Sequence, residues 1–443
     1  MNRLDERYSC NGRSGGKSSR AIGRGTLKRM AVGSAPIANS ALESGGRGTM
    51  RVAIVSRIFN PEPSAASFRL GALAEKLAER GHEAVVFTVK PPKSLRGKTD
   101  DRRQTYRVKR FPVLRDRAGY VRGYVQYLSF DVPLFFRVLF GRKVHAIVAE
   151  PPPTTGFFVR LAAAIRRTPY VYYAADIWAD GASQTGAPGW IIRTVRMVER
   201  FAMRGAKTVL SVSDDLTDRL AELSIVHNVL TVGNGVDTKP FYSGMETGEH
   251  YRRVSPREFV YAGTASEWHG STVFVEALPT VLAGFPDTRI RFIGGGSEFE
   301  QIKSLAAELR VSDAVTLEPF LPPAELAPIL RGAVAALASI RPGLGNEFTF
   351  PTKLYASTLC GAPAIFAGVG PAVEFLNTEL ESAPLGLSVP IDPSAVADAM
   401  LQMLRQGDEV EHRMRVVAWG LEHVSLSAVA DRIVTELERI ARA

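Results

Sequence analysis

Residues 51–88 read RVAIVSRIFNPEPSAASFRLGALAEKLAERGHEAVVFT. Arg51 to Ser56 is a short apolar-rich run of the kind that forms a strand buried on both faces, and Pro61 and Pro63 then break the chain. Leu70, Leu73, Leu77 and Ala78 recur at helical spacing up to Gly81, and Ala84 to Thr88 returns to a strand. A strand, helix and strand of this length form a right-handed parallel crossover.

The alternation continues. Ala146 to Val148, Tyr170 to Tyr173 and Thr208 to Val212 read as strands, separated by helices near Gly156 to Ile165 and Trp190 to Met203. After Gly233-Asn234-Gly235 and a polar stretch it resumes with strands at Glu258 to Tyr261, Arg289 to Ile293, Ala314 to Leu317, Val334 to Leu337 and Ala364 to Ala367. The helices between these strands are Glu298 to Leu309, Ala324 to Leu330 and Lys353 to Leu359. Two doubly wound parallel sheets are expected, with ligands in the cleft between their facing carboxyl edges. The expected division is 1–49 a leader, 50–237 a first domain, 238–256 a linker, 257–410 a second domain, and 411–443 helices packing back on the first domain, among them Leu426 to Ile440.

Composition narrows the class. With 443 residues, 45% of them apolar, the chain can bury two cores. Two cysteines, Cys10 and Cys360, supply neither a disulfide framework nor a metal cluster, which fits a reducing, cytoplasmic setting. The sequence has no apolar run long enough to span a bilayer, and residues 1–49 lack the apolar core of a secretory signal. The net charge of +10 suggests nucleic acid until it is located: residues 1–49 hold +6 and the remainder +4. That leader is rich in Gly and Ser without apolar periodicity and reads as disordered. It is either a functional arm or the product of a misplaced start, since Met50 directly precedes a strand.

Five further stretches carry a more specific signal: Tyr172-Tyr-Ala-Ala-Asp-Ile-Trp178, Val232-Gly-Asn-Gly-Val-Asp237, Val260-Tyr-Ala-Gly-Thr-Ala-Ser-Glu-Trp-His-Gly270, Gly294-Gly-Gly296, and Phe350-Pro-Thr-Lys-Leu-Tyr-Ala-Ser-Thr-Leu-Cys-Gly-Ala-Pro363. Together with the opening unit they make the chain, from Met50 onward, resemble the family 4 glycosyltransferases, above all the bacterial branch that builds polysaccharides and lipid-linked glycans. The resemblance implies the GT-B fold, in which two Rossmann-like domains face across a cleft. It implies a retaining, hexosyltransferase-type reaction that moves a sugar from a nucleotide-diphosphate donor to a glycan or lipid-linked acceptor. No cofactor or metal is implied, and the sequence offers no Asp-x-Asp pair to hold one; the nucleotide sugar is a co-substrate.

By that resemblance, Ser67 and Arg69 border the acceptor, and Asp176, at a strand end, orients the acceptor hydroxyl or the donor sugar; the plainer alternative for Asp176 is a cap on the following turn. Gly263, Thr264 and His269 stand where relatives grip the donor diphosphate, Gly294 and Gly295 approach the nucleotide, and Lys353 with Leu354 opens a helix whose start favours phosphate. The pattern also departs from the family. Thr264 and His269 replace Arg and Lys, Ala175 replaces a His, and Ala356 replaces the Glu that binds the nucleotide ribose. The upstream partner of that Glu falls on Phe348, with Glu347 one residue away as a candidate for the sugar site and Glu374 as a substitute for the ribose contact. These departures keep open a degenerate relative that binds a glycan or a partner as a scaffold, and, behind it, a nucleotide-sugar epimerase.

Between Arg115 and Lys143 aromatic and aliphatic residues from Tyr120 to Phe140 are interspersed with Arg117, Arg122, Arg137 and Arg142. This pattern suits an interfacial helix that draws the enzyme to the inner face of the plasma membrane, and it suits an ordinary core helix equally well. The expected partners are thus a nucleotide sugar, the acceptor and a peripheral membrane contact, with no nucleic acid.

Overall fold

β1 (Arg51–Val55) shows how the chain builds its first layer: Ala53 and Val55 face one side of the sheet, Val52 and Ile54 the other, and all are buried. The structure is a computed structural model. It describes residues 48–62, 64–97, 101, 104–116, 121, 123–184, 188–242, 257–343, 347, 349–381, 383–407 and 410–442, so nearly all of the expected leader lies outside the described residues.

Six more strands join β1: β2 (Glu83–Val89), β3 (Arg107–Phe111), β4 (Ala146–Ala149), β5 (Tyr170–Ala174), β6 (Thr208–Ser211) and β7 (Val229–Thr231). Every pairing is parallel, in the order β3-β2-β1-β4-β5-β6-β7. The connections carry α1 (Ala65–Glu79), α2 (Tyr124–Phe140), α3 (Pro153–Arg166), α4 (Trp178–Gln184), α5 (Gly189–Arg204) and α6 (Asp214–Glu222). α2, α3 and α5 cover one face with Phe130, Leu134, Val159 and Met203, while Leu70, Leu73 and Leu77 of α1 cover the other.

Beyond α7 (Lys239–Tyr242), a second sheet has the order β10-β9-β8-β11-β12-β15. Its strands are β8 (Arg257–Thr264), β9 (Thr288–Gly295), β10 (Val315–Glu318), β11 (Ala335–Ile340), β12 (Ala364–Gly368) and β15 (Gly386–Val389), all parallel; β13 (Glu379–Leu380) and β14 (Ala383–Pro384) form a small antiparallel ribbon. The helices are α8 (Thr272–Gly284), α9 (Phe299–Glu308), α10 (Pro323–Gly332), α11 (Lys353–Leu359), α12 (Pro371–Leu376) and α13 (Pro393–Gln406). Both sheets have the order of a doubly wound fold, so the two-domain GT-B architecture stands.

Among the elements that escaped the reading, β3 and α8 have a plain physical reason. β3, Arg-Val-Lys-Arg-Phe, lacks an apolar run because it is an edge strand, where cations discourage pairing with other chains. α8 is apolar on nearly every side, which hides its helical period. The expectation for the C-terminus needs correction. α14 (Val410–His423) packs on the second domain, where Val416 joins the core and Gly420 lies so close to Thr358 that a Cβ would sit 2.9 Å from its Cγ2. α15 (Leu426–Arg442) crosses to the first domain and lays Val429, Ile433, Leu437 and Ile440 against the α1 face. Arg80 pairs with Asp431 at 2.7 Å, and His82 meets Glu438 at 3.1 Å, at the edge of that contact.

Ile433 is 1% exposed. Ile433→Ala should therefore destabilise the protein by about 2–5 kcal/mol in denaturant unfolding, the usual cost of such a cavity; a loss below 1 kcal/mol would mean that α15 does not hold this face together.

Candidate active site

At the carboxyl edge of the second sheet, β8 and β9 end in register, with Gly263 beside Gly294 and Thr264 beside Gly295. The strand ends approach more closely than side chains permit. A Cβ on Gly294 would lie 2.1 Å from the Gly263 carbonyl oxygen, and one on Gly296 would lie 2.0 Å from that of Ala265. All three glycines have positive φ, 131° at Gly263, 154° at Gly294 and 137° at Gly296. No side chain projects from these positions, so a ligand can approach the main chain there.

Lys353, first residue of α11, reaches back over this edge. Its Nζ is 3.4 Å from the Tyr261 ring centroid and 3.5 Å from the Thr264 carbonyl oxygen, and a Cβ on Gly263 would touch its Cε at 3.3 Å. Burial lowers the Lys353 ammonium well below the ordinary lysine range, with the charge of Glu298 opposing. Glu298, 1% exposed, accepts hydrogen bonds from the Ser271 amide at 2.9 Å and hydroxyl at 2.6 Å, anchoring the start of α8. Next to them, His269 is buried and stacks on Trp268, and its Nδ1 accepts the Ser266 amide at 3.0 Å. The ring proton therefore sits on Nε2. Burial, and then the nearby Lys353 charge, push His269 down to about 4, so it is neutral at physiological pH. Leu354 is a core residue, 1% exposed, that anchors α11.

In the first domain Asp176 follows β5 and remains open to solvent. It does not cap α4: Glu199 of α5 does, accepting the amides of Trp178 at 2.8 Å and Ala179 at 3.3 Å. Desolvation raises the Asp176 carboxyl from its ordinary range, with Arg69 and the Trp178 side chain opposing. Arg69 is buried, donates to Glu150 at 3.0 Å and to Asn234 at 2.8 Å, and lies over Tyr173. It thus ties α1, the end of β4 and the turn leaving the first domain to one point. Burial pushes Glu150 up to about 7 against the pull of Arg69.

The chain carries a "Glycosyl transferase 4-like domain" over residues 65–235 and "Glycosyl transferases group 1" over 256–406. It belongs to glycosyltransferase family 4. It is 29% identical over 237 residues to a D-inositol 3-phosphate glycosyltransferase of Acidothermus cellulolyticus, covering 48% of this chain and 51% of that one. It is 25% identical over 229 residues to a phosphatidyl-myo-inositol mannosyltransferase of Mycobacterium leprae, with 51% and 58% covered. The chain thus spans about half the length of the curated relatives it matches. Anabaena HepE, solved in complex with UDP, shares its fold at a TM-score of 0.62 and 15% identity, with 88% of this chain and 100% of that one covered.

Within this family 4 chain, Gly263, Gly294 and Lys353 converge on one edge, with the Thr264 carbonyl and His269 beside them. Other expected residues have different surroundings. Ser67 is fully buried inside its helix cap, where Ser64 Oγ accepts its amide at 3.1 Å and bonds its hydroxyl at 3.0 Å. Arg69 serves the buried ion pair rather than standing as a solvated charge. The Glu347 carboxylate accepts the Gly343 amide, while its carbonyl lies 2.0 Å from where a Gly370 Cβ would sit. Phe348 lies outside the described residues. Ala356 packs at the edge of the apolar cluster around Leu354 and Tyr355, so no carboxylate stands at that position. Glu374 is exposed at the first turn of α12 and faces the first domain closely enough to help raise the Asp215 carboxyl, after burial. Glu150, Glu199 and Glu298 were missed, because a single acid in an apolar stretch leaves no periodic trace.

The folded His269 lies below its ordinary value of 6.5, so its contribution to stability is full above that pH and is lost as pH falls from 6.5 toward 4. An NMR titration of the free protein should find its midpoint near pH 4 and should find it raised when a nucleoside diphosphate is added. A midpoint near 6.5 that ignores the nucleotide would remove His269 from the site.

Proposed function

We propose that this family 4 glycosyltransferase moves a hexose from a nucleoside-diphosphate donor, held at the carboxyl edge of the second sheet, to a glycan or lipid-linked acceptor near Asp176, with retention at the anomeric carbon. The observation that carries the reading is the Lys353 ammonium, held with no carboxylate among the described residues within hydrogen-bond distance, over an edge where Gly263, Gly294 and Gly296 carry no side chains. A desolvated ammonium gains most from an anion, and a departing diphosphate gathers negative charge as the sugar leaves. The neutral His269 contributes an N–H donor rather than a second cation.

In this reading the acceptor oxygen bonds to the anomeric carbon as the bond to the diphosphate breaks. The hydroxyl proton passes to the departing diphosphate oxygen on the same face. Asp176 orients the acceptor or the sugar, Glu347 lies toward the sugar, and Glu374 is the carboxylate nearest in role to the ribose contact that Ala356 cannot make. In this reading no metal ion takes part in the step. That Anabaena HepE was solved with UDP and with UDP-glucose supports a nucleotide sugar as donor. We place the reaction in the cytoplasm, in cell-surface polysaccharide biosynthesis, with the enzyme in peripheral contact with the inner face of the plasma membrane.

Ala356 and the neutral His269 favour one rival, a scaffold that binds glycan or protein and no donor. Calorimetry with a panel of nucleotide sugars separates the two, since the transferase binds at least one and releases its nucleotide. Lys353→Ala should lower turnover of that donor by about 10²–10³-fold, as expected for losing one stabiliser of developing charge, without lowering the melting temperature. Turnover that survives this change would sink the donor site as drawn. Excess EDTA should leave turnover unchanged; loss restored by Mg²⁺ would show that a metal shares the diphosphate.

A further inference from the structure

The 17 residues of α2 contain two charges, Asp131 and Arg137, and neither lies on its outer face. Asp131 is fully buried, accepting hydrogen bonds from Thr154 and Thr155 at 2.6 Å each, and Arg137 lies 3.6 Å over the Phe111 ring. Phe130, Leu134 and Val138 turn inward. Outward, Tyr124, Leu128, Val132, Phe136 and Phe140 recur every fourth residue with exposures of 58%, 42%, 39%, 51% and 79%. That spacing makes an uncharged stripe about 24 Å long at 1.5 Å per residue. α2 therefore has a core face on one side and an uncharged, exposed apolar face on the other.

Among the described residues the layer around this stripe is mainly basic, although Arg110 is paired with Asp101 and Arg196 with Asp180. α2, α3 and α5 lie side by side, and their acids, Asp131 and Glu199, are both buried, whereas arginines recur on all three. Arg142 and Lys143 follow the stripe and are exposed, as is Arg167 at the end of α3. Beside Phe140 an open groove of about 510 Å³ is lined by Phe87, Lys109, Arg110, Phe111 and Arg137. A second copy of the chain meeting this face on a twofold axis would set cations against cations. A nucleic acid would use the cations and leave the stripe in water.

We infer that the outer face of α2, with Arg142, Lys143 and the groove beside Phe140, docks the enzyme on an anionic phospholipid surface. Basic charge draws the helix to the headgroups and the stripe enters the acyl boundary. The start of α2 adjoins the acceptor side of the cleft, because Tyr127 packs 5.9 Å from Trp178, two residues after Asp176, under the Arg57 guanidinium. A bilayer lying on α2 would therefore bring its headgroups toward Asp176. The inference gives a surface and a lipid charge to the membrane contact of the proposed function and rests on that part alone, not on the donor chemistry.

The test is co-sedimentation of the full chain with vesicles of phosphatidylcholine alone or with about 30% phosphatidylglycerol. Wild-type protein should pellet with the anionic vesicles at low salt and about tenfold less with neutral ones. Phe136→Asp with Phe140→Asp should lose about tenfold on anionic vesicles, and so should Arg142→Glu with Lys143→Glu, while melting temperature and nucleotide binding stay at wild-type values. The inference is overturned if wild-type protein stays in the supernatant with anionic vesicles, or if the Phe136/Phe140 variant binds them as wild type does. It is overturned equally if that variant only converts a dimer to a monomer, or if RNA binds the wild type and the variant alike and displaces vesicles. Vesicle binding without donor binding would instead refute the transferase reading and leave this one standing.

Discussion

The second domain depends on the closeness of two strand ends. β8 and β9 run so near each other that the Gly263 and Ala265 carbonyl oxygens occupy the places where side chains at 294 and 296 would begin. That contact clears the carboxyl edge of side chains, and Lys353 fills the edge of the clearing from α11. A side chain at either glycine would push the strands apart and move the edge from the ammonium. The site is thus built from main chain placed by sheet register, with one cation added.

The first domain solves a different problem, that of keeping carboxylates where there is little water. Glu150 and Glu199 are both pushed up to about 7, each by burial and each held down by the groups that donate to it. Glu199 fixes the start of α4 behind Asp176, and Glu150 fixes Arg69, which also holds Asn234. Burial of Arg69 with only part of its charge answered is costly, and a single partner lost would leave the other unpaired. The cleft wall and the turn that leaves the first domain therefore share one ion pair, so a change in either is felt by the other. Arg432 of α15 adds a second tie there, donating to the Val232 carbonyl at 2.7 Å and to that of His423 at 2.9 Å.

Most of the architecture was legible because parallel strands buried on both faces are uninterrupted apolar runs and their crossover helices carry a clear period; α11 at Lys353 to Leu359 and β5 at Tyr170 need little else. β3 and α8 were not, the one for its charge and the other for its lack of any. α14 and α15 could not be assigned to a domain from their own residues, since both have an apolar face and a helix does not name its partner. In the site, the glycines and Lys353 stood out as types at particular positions. The protonation of His269, the burial of Ser67 and Arg69 and the occupation of the Glu347 carboxylate did not, because each is a property of neighbours distant in the chain.

By itself, then, the order of residues determined two doubly wound sheets, the family resemblance and the glycines that let two strand ends touch, since these follow from local period and from the conformations a residue type allows. Folding alone decided which charges stand in water and which are desolvated. It left Lys353 looking for an anion, made His269 a neutral donor, took Ser67 out of reach of solvent and turned one uncharged side of α2 outward. Electrostatic cost depends on how much water surrounds a group, and that is settled only when segments far apart in sequence close around it.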